Sequence, residues 1–244
     1  MSQTILCVDG LSAEIEGHQV VEGASFEVPA TGVTALLGRN GVGKTSTLRA
    51  ILGLITRRGT VEYDGTRIDR LDTHRIIRLG IGYVPEDREV FAGLTVAENM
   101  NLAARGGAPR RELVDELFPD LVHRAGQRAG TLSGGQQQML SLARVLGNVN
   151  RLLLIDEPTK GLSPRVVGEV AIALERAARS VPMLLVEQNL DVVRRLAQRV
   201  IVMESGRVVH TGPAAELLDD RGALERYLGV RSTGGGQQRL EEAR

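Results

Sequence analysis

The sequence predicts an α/β fold in which a mostly parallel sheet lies between helices. Short apolar runs without polar alternation recur along the chain, and such runs are typical of strands buried on both faces. Stretches with apolar residues at helical spacing separate these runs. Turn-rich, strand-like regions flank this core, and a long helical excursion interrupts it. We therefore expect an antiparallel β flank and an inserted helical sub-domain beside the parallel core.

Four apolar runs define the predicted parallel sheet, and each stops at a glycine, a proline or an acidic residue. They are Val33–Leu37, Ile81–Val84, Leu152–Ile155 and Met183–Val186. Residues 165–179, between the last two runs, are predicted to form a helix because their apolar side chains recur at helical spacing. The order strand, helix, strand is that of a doubly wound sheet.

The regions outside these runs differ in character. Residues 1–31 and 59–70 contain Asp-Gly turns between strand-like segments, which predicts an antiparallel sheet. Residues 86–150 are mostly helical in pattern and form the predicted inserted sub-domain. The tail, residues 231–244, is rich in glycine and glutamine and is predicted to be disordered. Residues 1–230 are thus expected to form one main domain.

Composition restricts the classes of function that fit the chain. Its 244 residues are 42% hydrophobic, and 30 basic residues balance 30 acidic ones. Zero net charge, no tryptophan and few other aromatic residues argue against binding to nucleic acid. The single cysteine, Cys7, cannot form an internal disulfide, which favours a cytosolic location. No signal peptide is recognisable, and no apolar run reaches the roughly 18–20 residues that span a bilayer. Membrane association is therefore expected only through a partner.

A glycine-rich loop follows the first predicted strand and precedes a helical stretch at Ser46–Leu54. The loop matches G-x-x-x-x-G-K-[ST] in the order Gly38, Arg39, Asn40, Gly41, Val42, Gly43, Lys44, Thr45, and Ser46 follows. Glycines in such a loop let successive backbone N–H groups face phosphates at a helix N-terminus. Lys44 is expected to reach the β- and γ-phosphates, and the Thr45 hydroxyl to bind Mg²⁺. The pattern predicts a P-loop NTPase core that binds a nucleotide.

Two carboxylates, Asp156 and Glu157, follow the third apolar run. Ligands bind at this edge of open α/β sheets, so both are expected near the loop. Asp156 is predicted to hold Mg²⁺ directly or through water. Glu157 is predicted to be the catalytic group that polarises the attacking water.

A short motif before a predicted helix identifies a family. It consists of Leu132, Ser133, Gly134, Gly135 and Gln136. This pentapeptide resembles the signature of the ABC transporter ATPase family, and the order of the three motifs agrees over about residues 5–229. The hydroxyl, the exposed backbone N–H groups and the helix dipole suit a second phosphate clamp. The alternative is an ordinary helix N-cap at Ser133.

The resemblance implies a mechanism and partners. Two ATPase subunits, identical or different, would close over two ATP molecules, each signature acting on the partner's ATP. The closure would drive transmembrane permease subunits, and indirectly a solute-binding protein, from the cytoplasmic face of the membrane.

Three positions depart from the common family pattern. The resemblance places Glu86 where glutamine is usual, Gln188 where a histidine is usual and Ser163 where aspartate is usual. Together they resemble the smaller ATPase of branched-chain amino acid importers, or their urea and amide relatives. Glu86 is expected to act through Mg²⁺, and Gln188 to donate an amide N–H to phosphate or water. Ile15 falls where most members place an aromatic residue against adenine.

Two other classes of function remain as alternatives. An ABC ATPase outside transport would normally carry two tandem ATPase units or a long coiled coil, and the sequence has neither. A P-loop kinase or GTPase does not account for the signature pentapeptide and would need a second-substrate domain. The resemblance therefore implies solute import, with branched-chain amino acids as the predicted solute and urea or an amide as the alternative.

Overall fold

The computed structural model describes residues 4–106 and 110–229, which form two sheets and the helices around them. The strands are β1 Thr4–Ile15, β2 His18–Pro29, β3 Val33–Leu37, β4 Thr56–Tyr63, β5 Thr66–Arg67, β6 Ile81–Val84, β7 Leu152–Asp156, β8 Met183–Val186, β9 Arg199–Glu204 and β10 Arg207–Pro213. The helices are α1 Lys44–Ile51, α2 Thr73–Arg78, α3 Val96–Ala103, α4 Arg111–Leu117, α5 Pro119–His123, α6 Gly134–Leu146, α7 Pro164–Ala178, α8 Leu190–Leu196, α9 Ala214–Asp219 and α10 Arg221–Leu228, with a 3-10 turn at Ala129–Thr131. The predicted disordered tail at 231–244 lies outside the described residues.

The central sheet has six strands in the order β10-β9-β3-β8-β7-β6. All neighbours from β9 to β6 pair in parallel, and β10 pairs with β9 in the antiparallel sense. Every residue of β3, β7 and β8 is buried, because helices or the second sheet cover both faces. The four predicted strands are therefore confirmed, and β7 extends to include Asp156.

The second sheet is antiparallel, in the order β2-β1-β4-β5. Its buried face includes Leu6, Val8, Leu11 and Phe26, which belong to one apolar cluster with α1 and the central sheet. This confirms the predicted β flank. Strand β4 begins at Thr56, three residues before the predicted start of this region.

The described elements between β6 and β7 are helical, as predicted for the inserted sub-domain. Helix α6 packs its apolar face against α3, α7 and one face of the central sheet. These contacts form a second apolar cluster, which includes Leu140, Leu142 and Leu146. The insert therefore shares its core with the edge of the parallel sheet at β6 and β7.

Two helix starts differ from the sequence prediction. Helix α1 begins at Lys44 instead of Ser46, because the glycine-rich loop turns directly into it at Gly43. Helix α6 begins at Gly134 instead of Gln137, because Ser133 caps it. The motif glycines Gly134 and Gly135 are thus the first two residues of the helix.

Candidate functional site

The loop after β3 can be formed only with glycine at two positions. Gly38 has φ +147°, and a Cβ atom there would lie 2.4 Å from the carbonyl oxygen of Met203. Gly43 has φ +103°, and a Cβ there would lie 2.4 Å from the carbonyl oxygen of Val20. The backbone N–H of Gly206 also donates to the Val42 carbonyl at 3.0 Å. The loop is therefore held against β2 and the β9–β10 turn.

Lys44 lies at the start of α1 with its ammonium inside the loop. Its Nζ donates to the carbonyl oxygens of Gly38, at 2.9 Å, and Arg39, at 3.0 Å. Only 5% of the residue is exposed, and burial lowers the pKa of the ammonium, an effect that Glu157 and Asp156 oppose. An ammonium already in contact with loop carbonyls can exchange them for phosphate oxygens with little movement.

Thr45 and Asp156 meet at the end of β7. The Thr45 hydroxyl donates to Oδ1 of Asp156 at 3.1 Å, and Asp156 is fully buried. Burial raises the pKa of the Asp156 carboxyl to about 6, although the Thr45 hydrogen bond opposes this. Within the described residues, Oδ2 of Asp156 has no hydrogen-bond partner. A hydroxyl and a buried carboxylate with a free oxygen fit a magnesium ion, which prefers oxygen ligands.

Glu157 follows Asp156 with an unusual backbone conformation. Its φ is +42°, and its N–H donates to the Val186 carbonyl at 2.9 Å, which fixes this residue against β8. The amide of Gln188 donates to Oε1 of Glu157, and Oε2 lies 3.4 Å from the Nζ of Lys160. A left-handed glutamate costs about 1–2 kcal/mol, and such strain is concentrated at functional sites.

Glu86 lies beyond β6, where the chain leaves the sheet for the helical insert. Its carboxylate forms a close ion pair with Lys160, which follows β7. The hydrogen bond to Glu86 and the charge of Glu157 raise the pKa of Lys160. The assignment of Glu86 to Mg²⁺ stays a prediction.

Glu187, after β8, is a buried acid that the sequence analysis did not single out. Only 3% exposed, it accepts hydrogen bonds from the Thr159 hydroxyl at 2.6 Å and from the N–H groups of Gln188 and Asn189. Desolvation raises the pKa of its carboxyl. It ties the loop after β7 to the loop that carries Gln188. Its place beside Gln188 at a strand end was the available signal.

The signature residues form a reciprocal cap at the start of α6. The Gln136 N–H donates to Ser133 Oγ at 3.3 Å, and the Ser133 N–H donates to Gln136 Oε1 at 3.0 Å. Gln136 also donates to Asp120 at 2.9 Å, which anchors the motif to α5. Ser133 therefore does cap α6, as the alternative interpretation of the motif expected. Its side-chain oxygen only accepts in this cap, so the hydroxyl proton can still be donated to another group.

The signature and the loop after β3 face different clefts. Ser133, Gly135 and Gln136 line a cleft of about 670 Å³ with residues of α5 and α7. Gly38, Arg39 and Asn40 line another cleft, together with Glu187 and Gln188. The two clefts share no lining residue.

Arg88 contacts the signature from the loop after β6. A Cβ atom on Gly134 would lie 2.9 Å from an Nη of Arg88, so the guanidinium packs on this glycine. Arg88 and Glu89 both have positive φ, which marks a tight local turn. The sequence alone gave no sign of this contact.

The remaining predicted binding residues lie around the loop. Ser46 is half-buried in the first turn of α1. Ile15 is half-buried at the end of β1, where it pairs with His18 across the β1–β2 hairpin. Its predicted place at adenine stays a prediction.

A glycine-rich loop around a buried lysine, beside a Thr–Asp pair and a buried glutamate, defines a P-loop nucleotide-hydrolysing protein. Residues 21–160 match the sequence model of the ABC transporter family. The chain belongs to this family, which couples a P-loop ATPase to transport, and its members hydrolyse ATP.

Named relatives cover almost the whole chain. The branched-chain amino acid transport ATP-binding protein BraG of Pseudomonas aeruginosa is 37% identical over 235 residues, 92% of this chain and all of BraG. LivF of Archaeoglobus fulgidus, a probable protein of the same description, is 37% identical over 90% of this chain and 97% of LivF. The lipopolysaccharide export ATP-binding protein LptB of Haemophilus influenzae is 29% identical over 93% and 98%. BraG and LivF, whose names refer to branched-chain amino acid transport, are thus more similar to this chain than LptB is.

The fold is that of solved ABC ATPases. A nucleotide-free ATP-binding cassette from an ABC transporter superposes with a TM-score of 0.77, covering 94% of this chain and all of that one, at 22% identity. Within the described ranges, no helix has both the length and the apolar character needed to cross a bilayer.

Proposed function

We propose that this chain hydrolyses ATP to power solute import across the cytoplasmic membrane, with branched-chain amino acids as the solute. The observation that carries the hydrolytic part is the convergence of Lys44, Thr45, Asp156, Glu157 and Gln188 at the carboxyl ends of β3, β7 and β8. The similarity to BraG and LivF supports the solute.

Each side chain has a task in this proposal. Lys44 exchanges the carbonyls of Gly38 and Arg39 for phosphate oxygens. Thr45 and Asp156 would hold Mg²⁺, which would neutralise phosphate charge there. Glu157 accepts a hydrogen bond from the attacking water and orients it for in-line attack on the γ-phosphate. Gln188 holds the Glu157 carboxylate and cannot gain charge near neutral pH.

A second subunit completes the site. The signature faces a cleft separate from the loop after β3, so one chain's signature is free to act on another chain's ATP. The Ser133 hydroxyl and the first N–H groups of α6 would donate to that γ-phosphate. The partner is a second ATPase subunit, identical or distinct.

A cleft of about 660 Å³ between the core and the helical insert suits a permease segment. Apolar residues such as Leu54, Ile77 and Val145 line it, and the basic residues Arg49 and Arg105 line it as well. An amphipathic helix from a membrane protein could bury its apolar face there. The chain would then be peripheral, at the cytoplasmic face of the membrane.

Reconstitution tests the proposal. The chain should co-purify with a polytopic membrane protein. Vesicles that carry this complex in their membrane should take up leucine when the solute-binding protein is added outside and ATP is enclosed inside. Uptake of urea or an amide, and not of leucine, would change the assignment of the solute but keep that of import. Outward movement of a lipid-linked substrate, or no membrane partner, would overturn import.

A further inference from the structure

A single ammonium group lies between two carboxylates that come from different parts of the fold. Lys160, in the loop after β7, forms a close ion pair with Glu86, in the loop after β6. The same Nζ lies 3.4 Å from Oε2 of Glu157. Because the loop after β6 leads into the helical insert, Lys160 links the entrance of the insert to the carboxylate at the end of β7.

Lysine is rare in this protein, and both examples face Glu157. The 30 lysine and arginine residues include only two lysines, Lys44 and Lys160. Lys44 approaches Oε1 at 4.0 Å, and Lys160 approaches Oε2 at 3.4 Å. A compact ammonium can serve two carboxylates at once, whereas a planar guanidinium favours one in a bidentate fork.

The contact does little for stability, because 57% of the Lys160 side chain and 28% of the Glu86 side chain are exposed. Exposed ion pairs contribute little to the free energy of unfolding. The partner Glu157, in contrast, is 7% exposed in its side chain, and its backbone is fixed by a hydrogen bond to β8. Its carboxylate is oriented by the hydrogen bond from Gln188 to Oε1 and by the charge of Lys160 beside Oε2, which accepts no hydrogen bond within the described residues.

We propose that Lys160 is a positioning residue, which orients Glu157 through Oε2 and tethers it to Glu86. Movement of the loop after β6 then changes how firmly the carboxylate is held, so the helical insert acts on hydrolysis through one ammonium. The inference rests on the proposed role of Glu157 in hydrolysis.

The contact itself can be observed by NMR. Selective ¹³Cε-lysine labelling of the full chain gives one signal from each of its two lysines, assigned with Lys160→Met. Glu86→Gln should shift the Lys160 signal and leave the Lys44 signal nearly in place. An unmoved Lys160 signal would overturn the pairing.

Kinetics test the positioning role. Lys160→Met should lower kcat about fivefold to tenfold while KM and the Kd for ATP stay within about twofold, because the residue acts on the carboxylate and not on the phosphates. Lys160→Arg should recover only part of this loss, to within about twofold to threefold of the unaltered kcat, because a guanidinium keeps the charge but favours one of the two carboxylates. In a Glu86→Gln background, the loss caused by Lys160→Met should shrink to about threefold, because the two residues are coupled.

A matched control is Arg195→Met, which removes one charge from the exposed pair with Glu175 and should leave kcat unchanged. The inference is overturned if Lys160→Met has normal kcat, if its loss appears in KM, or if the loss is equal in both backgrounds. Glu157→Gln separates the two levels of the argument. Normal turnover by that variant would remove the role of Glu157, whereas its inactivity beside a normal Lys160→Met would remove only the role of Lys160.

Discussion

The Nζ atom of Lys44 lies 4.0 Å from Oε1 of Glu157, and both side chains are almost completely buried. The glycine-rich loop and the end of β7 are thus in electrostatic contact. Lys44 is meanwhile satisfied by two carbonyls of its own loop. Its charge is therefore held in place for a ligand that replaces those carbonyls.

Lys44→Ala should weaken ATP binding by at least about tenfold, because it removes the charge that faces the phosphates. Isothermal titration with ATP in the presence of Mg²⁺ measures the change. Lys160→Met, which removes the other lysine, should bind ATP normally. Equal affinity of Lys44→Ala and the unaltered chain would contradict the assignment.

Glu157→Gln should keep ATP binding and abolish multiple turnover, because an amide cannot accept the water proton as a carboxylate can. The trapped ATP state should elute as a dimer in gel filtration with ATP. Glu216→Gln on α9 gives a matched control for the loss of one exposed carboxylate. Normal turnover by purified Glu157→Gln would remove this residue from the chemistry.

Asp156→Asn should raise the free energy of unfolding at pH 7 by up to about 3 kcal/mol without nucleotide or divalent metal. The folded carboxyl has a pKa of about 6 against a reference value of 3.8, so it binds its proton more tightly in the folded state. Its contribution to stability is present below pH 3.8 and is lost as the pH rises through 6. Urea unfolding across this range measures the effect. Parallel pH profiles for Asp156→Asn and the exposed-site control Glu204→Gln would count against it.

Ser133→Arg should spare ATP binding to the isolated subunit and block dimer closure, because a bulky cation replaces the cap of α6. Mixing this variant with Lys44→Ala tests action between subunits, provided the chain pairs with itself. One composite site then carries both intact elements, so partial ATPase activity should return. A mixture as inactive as each variant alone would place the trans arrangement in doubt.

Ile15→Tyr should tighten ATP binding by up to about tenfold, because stacking on a base contributes about 1–3 kcal/mol. The unaltered chain should also discriminate poorly between ATP and GTP, since an aliphatic side chain offers only apolar contact. Titration of both proteins with both nucleotides decides this. Unchanged ATP affinity in Ile15→Tyr would mean that residue 15 does not face the base.

The elements that local sequence specifies were predicted well. The strand before Gly38 and the strand that ends at Asp156 are continuous apolar runs with clear stops, so both their type and their ends were visible. The start of α6 was placed too late because the two glycines of the signature resemble a loop. In the structure the cap formed by Ser133 and Gln136 draws them into the helix.

Strands β9 and β10 and the contacts of Lys160 depend on tertiary structure and were not predicted. β9 joins the sheet beside β3, far away in sequence, and no motif marks it. Glu86 and Lys160 are 74 residues apart and meet only because β6 and β7 are neighbours in the sheet. In a similar way, Glu187 meets Thr159 because β7 and β8 are neighbours in the sheet.

The close packing of the glycine-rich loop also bears on the entropy of nucleotide binding. Gly43 is pressed against Val20 of β2, and Val42 accepts a hydrogen bond from Gly206 in the β9–β10 turn. The loop therefore loses its conformational freedom when the protein folds, and little ordering is left for the ligand to impose. Nucleotide affinity is thus shared with two flanking elements, and loosening either would weaken binding by restoring disorder to the loop.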